Sequence, residues 1–205
     1  MLQPLLEKIA LLAAAGVDWI QLREKDLSGK QSASLAKQAL IRVGKQKSSA
    51  EAATHILMND RLDVAIAERV GGVHLGEDSL RTADVSRLLQ APHFTPGAQR
   101  DFFVGVSTHS LEAARSAEAA GANYVFFGPI FATPSKAAYG APQGLAQLAE
   151  VCSAITIPVL AIGGTTIENA STCFSAGAAG IAAIRLFQDA ADPAATVRAL
   201  HGQMF

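Results

Sequence analysis

The stretch Trp19-Ile-Gln21-Leu-Arg23-Glu-Lys25-Asp26 carries the first residues whose spacing could do chemistry. On an extended segment Ile20 and Leu22 share one face, and Gln21, Arg23 and Lys25 share the other. Two cations and an amide converging near a strand's end suit an anionic ligand, most simply a phosphate. In a closed parallel barrel this face would point inward, and the apolar face would pack under helices. An edge strand with a solvated face is the competing reading. Asn59-Asp60 offers a hard carboxylate oxygen, and with Glu77 or Asp78 it could hold Mg2+, which takes one or two carboxylates plus substrate phosphates. Asp60 also stands where an N-cap for the next helix would stand. Gly163-Gly164, leading into a helix, can offer backbone N–H groups to an anion, or can simply be a turn. The run from Phe131 to Gly144 is too long for a simple connection and carries Thr133, Ser135, Lys136 and glycines. It reads as a lid over phosphates or as a surface loop. His74 and His109 could each serve as a base near neutrality. Histidines so placed are more often hydrogen-bonded structural groups, and neither enters the expected site.

These groups need elements to hold them. Hydrophobic periodicity and breakers predict helices over 3–15, 31–43, 61–70, 82–90, 110–120, 145–154, 167–176 and 192–203. Strands are expected at 19–25, 55–60, 72–76, 102–108, 124–130, 158–162 and 180–186. Strict alternation of strand and helix predicts parallel pairing with right-handed crossovers. Seven strands are visible where a (β/α)8 barrel needs eight, and the chain opens on a helix. Either a first strand is missing from this chain or the barrel closes imperfectly. An open doubly wound sheet is the alternative. The barrel is preferred, because polar groups follow nearly every strand, and barrel active sites lie at that end.

The totals agree with one α/β domain over residues 1–205. Hydrophobic residues make up 50% and charged residues 17%, which suits helices on a buried sheet. A net charge of −1 supplies no basic field for nucleic acid. No apolar run is long enough to cross a membrane, and the N-terminus, with Leu5, Ile9 and Leu12, reads as an amphipathic helix rather than a cleavable signal. Cys152 and Cys173 read as small core residues of a reducing, cytoplasmic compartment, with no spacing for zinc. Alanine-rich helices make a homo-oligomer plausible.

Gln21-Leu-Arg-Glu-Lys25, Asn59-Asp60, Gly72-Val-His-Leu-Gly76, Gly128-Pro-Ile-Phe-Ala-Thr133, Ser135-Lys136, Gln143-Gly144 and Ile162-Gly-Gly164 occur in this order over essentially the whole chain. Together they resemble the thiamin phosphate synthase/TenI family. The resemblance implies a (β/α)8 barrel that joins a hydroxymethylpyrimidine diphosphate to a thiazole phosphate with release of pyrophosphate. It implies that Gln21, Arg23, Lys25, Asn59 and Lys136 bind the pyrimidine diphosphate and that Asp60 binds Mg2+. Ser107 would lie beside the pyrimidine or the leaving group. Thr133, Ser135, Gly164 and the backbone at Ile184-Arg185 would hold the thiazole phosphate. Arg23, Lys25, Ser107 and Lys136 are the expected catalytic set.

Three departures stand against that pattern. The synthases usually carry a second Mg2+-binding Asp where this chain has Ser79, so that Glu77 or Asp78 would have to substitute. The last strand usually ends in a serine where this chain has Arg185, as in TenI-like members. The first strand is missing. A TenI-like thiazole phosphate tautomerase is therefore a second reading, although Pro129 occupies the place of that branch's catalytic histidine and His109 would have to replace it. A non-catalytic binder of thiazole phosphate is a third.

Overall fold

The computed structural model describes residues 2–44, 54–91, 102–133 and 141–204. Seven parallel strands form one curled sheet: β1 (Trp19–Leu22), β2 (His55–Asn59), β3 (Gly72–Leu75), β4 (Phe103–Thr108), β5 (Tyr124–Phe127), β6 (Val159–Ile162) and β7 (Gly180–Ala182), each paired with its sequence neighbours in that order. The helices are α1 (Gln3–Ala14), α2 (Gly29–Gly44), α3 (Leu62–Ala67), α4 (Thr82–Leu89), α5 (Leu111–Ala119), α6 (Gly144–Ala154), α7 (Ile167–Ser175), α8 (Arg185–Gln188) and α9 (Pro193–His201). Among the described residues this is the expected alternating β/α barrel architecture, with seven strands in the sheet. Among the described residues β1 and β7 do not pair, so the sheet stays open between them. Helices α1 and α9 pack together at this seam. Across it, Lys8 Nζ donates to Ala190 O at 3.5 Å, and His201 Nε2 lies 4.0 Å from Asp18 Oδ2.

The alternation read from the sequence sorts the side chains. Ile20, Leu22, Ile56, Met58, Val73, Leu75 and Val104 face outward into a core under α1 to α4. Val125, Phe127, Val159 and Ala161 do the same under α5 to α7. The opposite parity points into the barrel. There Trp19 meets Phe103 at 5.2 Å and Tyr124 at 4.6 Å between ring centroids, contacts that bridge strands which are not sheet neighbours. Room for this plug comes from Gly105 and Gly72. A Cβ on Gly105 would overlap the Tyr124 ring, and one on Gly72 would overlap the Phe103 backbone.

β5 stops at Phe127 rather than at residue 130, just before Pro129, which has no N–H for a ladder. The two edge strands are also shorter than expected, for a common reason of their own. The last β1–β2 pair is Leu22 with Met58, and the last β6–β7 pair is Ile162 with Ala182. Each is an edge strand with one neighbour, so it ends where that neighbour's ladder ends. Arg23 and Lys25 therefore follow β1 rather than ride on it. Ile184 and Arg185 lie at the start of the short α8 rather than on the final strand.

Candidate active site

On the β1–β3 side of the C-terminal rim, β1, the end of β2 and the β3–α4 loop are tied by one chain of hydrogen bonds. Gln21 Nε2 donates to Asn59 Oδ1 at 2.7 Å, and Asn59 Nδ2 donates to Asp60 Oδ2 at 2.6 Å. The Ser79 hydroxyl donates to the other Asp60 oxygen, and Gly76 N donates to Ser79 Oγ at 2.6 Å. The backbone of Asp60 sits in the left-handed region, with φ of 60°. Asp is one of the few non-glycine residues that tolerate this conformation, and its occurrence at a rim loop is the signature of an imposed geometry. Asp60 N donates to His74 O at 2.9 Å, which fixes the turn to β3. The N-cap alternative does not hold for this carboxylate: α3 is capped at Arg61 with no side-chain bond.

Asp60 thus accepts from neutral donors and makes no ion pair with Lys or Arg among the described residues, whereas Arg61 is taken up by Asp63 at 2.7 Å. The Arg61 pairing holds the Asp63 carboxyl below its ordinary range. An uncompensated, oriented carboxylate suits Mg2+, which satisfies its remaining positions with substrate phosphate oxygens and water. The expected second carboxylate is not beside it. Glu77 turns toward His109, with Oε1 3.6 Å from Nε2, and Asp78 is exposed. Ser79 is the side chain that reaches Asp60. No group of three or more His, Cys, Asp or Glu side chains able to hold a metal occurs among the described residues.

Arg23 and Lys25 are exposed just beyond β1 and make no salt bridge among the described residues, as cations kept for a ligand would be. Ser135 and Lys136, and with them most of the expected lid, lie outside the described residues. Thr133 stands half-buried at the near end of that loop.

A second polar line rises through the barrel. Tyr124 Oη lies 3.0 Å from His74 Nδ1, and His74 Nε2 lies 2.9 Å from Ser107 Oγ. His74 is 2% exposed and Tyr124 0%. Burial pushes His74 down to about 4 and Tyr124 above its ordinary range, so both are neutral at neutral pH; the Asp60 carboxylate opposes the shift on His74. Ser107 is half-buried, one residue before the end of β4, on the inward-facing parity. His74 and Tyr124 were outside the set expected from sequence. The signal for His74 is its parity opposite Val73 and Leu75; Tyr124 enters the sequence reading only as the first residue of the expected strand 124–130. His109 ends in a structural position, its Nδ1 bound to Gly128 O. It also lines a cleft of about 290 Å3 with Gln143, Gln147 and Glu150, floored by the core residues Phe127 and Val151 and so outside the barrel.

Across the mouth, Gly163 and Gly164 have φ of 96° and 69°. They bring the β6–α7 turn against the segment after β5: Phe131 N donates to Gly163 O at 2.9 Å, and a Cβ on Gly164 would sit 2.8 Å from Phe131 Cβ. Thr166 and Asn169 then form a capping box at the start of α7. Between Gly164 and this cap, the buried Thr165 hydroxyl has no hydrogen-bond partner among the described residues. A glycine turn at a helix N-terminus with an unpaired hydroxyl is suited to an anion. Ile184 and Arg185 are exposed beyond the adjoining strand.

Comparison with known proteins agrees with this geometry. A family model described as thiamine monophosphate synthase matches residues 2–187. A thiamine-phosphate synthase of Roseiflexus sp. is 40% identical over 91% of this chain and 72% of its own, and one of Chlorobium phaeobacteroides is 40% identical over 94% and 86%. Among solved structures, thiamine phosphate pyrophosphorylase from Pyrococcus furiosus superposes with a TM-score of 0.81 at 26% identity, over 99% of this chain and 90% of that one. A 3-hexulose-6-phosphate synthase, at 18% identity and a TM-score of 0.67, shares the fold. The chain belongs to the thiamine monophosphate synthase family.

Proposed function

We infer that this protein is a thiamine-phosphate synthase, a transferase that joins hydroxymethylpyrimidine diphosphate to thiazole phosphate through a new C–N bond. The observation that carries the reading is the chain Gln21–Asn59–Asp60–Ser79, which holds at the rim one carboxylate with no ion-pair partner among the described residues, on the side of the sheet where Arg23 and Lys25 follow β1. In the reaction the carbon–oxygen bond to the diphosphate breaks, the thiazole nitrogen adds to the pyrimidine methylene carbon, and pyrophosphate departs.

The protein's task is to hold both phosphates and to neutralise the charge that grows on the leaving group. In this reading Gln21, Arg23, Lys25, Asn59 and Lys136 bind the diphosphate, and Ser107 lies beside the pyrimidine. Asp60, with the Ser79 hydroxyl next to it, would hold Mg2+, which supplies positive charge to the diphosphate oxygens when bound. Thr133, Ser135, Gly164 and the backbone at Ile184–Arg185 hold the thiazole phosphate, and the unpaired Thr165 hydroxyl beside Gly164 supports an anion there. The tautomerase alternative finds less support, since His109 is held by Gly128 O on one side and faces Glu77 on the other.

Two further parts belong to this proposal. The thiols of Cys152 and Cys173 are free, which accords with a cytoplasmic location. Exposed Leu11, Ile41 and Leu88 on the helices suit a homo-oligomer, checked by sedimentation. No helix among the described residues is long and apolar enough to cross a membrane.

The test is formation of thiamin phosphate and pyrophosphate from the two phosphorylated halves, with and without Mg2+. Product that requires Mg2+ is expected. Folded protein at high concentration that yields no product removes the synthase reading; product unaffected by EDTA removes the metal role.

A further inference from the structure

Ser107 faces the mouth, but a hydroxyl can either donate or accept, and which it offers to substrate depends on what stands behind it. Behind it are His74 and, deeper, Tyr124. A neutral imidazole carries one N–H, so two arrangements are open. In the first, His74 Nδ1–H donates to Tyr124 Oη and the Ser107 hydroxyl donates to Nε2. The Tyr124 proton is then left over in a site that is 0% exposed, where no acceptor other than His74 meets it among the described residues. In the second, Tyr124 O–H donates to Nδ1 and Nε2–H donates to Ser107 Oγ. The proton left over is that of Ser107, which is half-exposed at the rim and meets water or substrate. A stranded buried donor costs far more than an exposed one. The second arrangement is therefore the one the barrel selects. The ring is enclosed by Tyr124 and Phe126 at centroid distances of 5.6 and 4.2 Å, which holds its two nitrogens on Tyr124 Oη and Ser107 Oγ.

We propose that His74 is a positioning residue: locked by Tyr124 as the Nε2–H tautomer, it occupies the acceptor side of Ser107 and leaves the Ser107 proton to be donated into the mouth. The ligand group that fits a lone hydroxyl donor there is an acceptor of the bound pyrimidine diphosphate, either a bridging or terminal phosphate oxygen or an aromatic ring nitrogen. This rests on the synthase reading for the identity of the ligand, but the tautomer itself does not.

The tautomer is read directly by 15N NMR of the imidazole nitrogens in the unmodified protein, with the His74 signals assigned by their loss in His74→Gln. A pyrrole-type shift at Nε2 and a lone-pair shift at Nδ1 are expected. An Nδ1–H ring, or a doubly protonated one at neutral pH, overturns the proposal whether or not the protein makes thiamin phosphate. The consequence for turnover is read by a double-mutant cycle. Tyr124→Phe keeps the ring and removes the donor. It is expected to lower kcat about three- to tenfold, the worth of one neutral hydrogen bond, with KM for the thiazole phosphate unchanged. In a Ser107→Ala background the same change is expected to have no further effect on kcat. Equal losses in both backgrounds mean that Tyr124 does not act through Ser107, and the proposal fails even if the synthase activity stands.

Discussion

At the scale of single residues the site is a division between groups already neutralised and groups left unpaired. Arg61 and Asp63 satisfy each other, as do Arg81 and Asp84, whereas Asp60 has only neutral donors and Arg23 and Lys25 have no salt-bridge partner among the described residues. Asp60→Asn keeps a residue tolerant of positive φ and gives up about 1 kcal/mol of hydrogen bonding from Asn59, so its melting point should fall only slightly. Its apparent affinity for Mg2+ in the rate assay should fall by at least about tenfold. An unchanged Mg2+ titration would show that Asp60 holds no metal. Lys25→Ala is expected to leave stability within about 0.5 kcal/mol, as an exposed unpaired side chain does. It should weaken the diphosphate substrate and flatten the salt dependence of kcat/KM. A variant that loses stability and rate together would place Lys25 in the fold instead. The residue types of this division are legible in the sequence, because cations, an acid and an amide at strand ends have few other uses. Their pairing is not. Nothing in the order of residues says that Ser79 rather than Glu77 or Asp78 reaches Asp60, since a shift of one position along a turn redirects a side chain completely.

At the scale of elements, alternation carried most of the fold. The inward and outward parities of all seven strands follow from period two, and α1, α5 and α7 stop just short of Gly16, Gly121 and Gly177. Strand ends at the sheet's edges were not legible, because they depend on where a neighbour's ladder stops. The polar line through the barrel was equally hidden. It arises from the register that sets His74 on β3 and Tyr124 on β5 level with Gly105 on β4, two residues before Ser107, a relation set by strand pairing across three strands. That line depends on Gly105, the pairing partner of both His74 and Tyr124. Gly105→Ala forces the Tyr124 ring to move and is expected to cost about 1–3 kcal/mol by overpacking, seen as a lower urea midpoint. A midpoint equal to that of the unmodified protein would mean that the ring has space elsewhere, and the barrel interior would be looser than its aromatic contacts imply.

At the scale of the whole molecule, the aromatic plug keeps His74 and Tyr124 buried inside an open seven-stranded sheet, and that burial has a thermodynamic consequence. His74 titrates near 4 when folded and near its ordinary 6.5 when unfolded. Between those values the unfolded chain binds a proton that the folded chain refuses, so stability rises with pH there. The full contribution is present above about 6.5 and is lost progressively as pH falls toward 4, about 3 kcal/mol in all. Exposed carboxylates held low by their partners, such as Asp63, lose their share at lower pH and do so equally in a His74 variant. Urea unfolding at pH 7 and at pH 5 should therefore show the unmodified protein losing roughly 2 kcal/mol more than His74→Gln over that interval. The amide of Gln can accept from Tyr124 and donate to Ser107 but does not titrate, which separates the proton from the hydrogen bonds. Parallel losses in the two proteins would mean that His74 takes up its proton in the folded barrel, which requires water at the depth of Tyr124 and an interior open through the seam between β1 and β7.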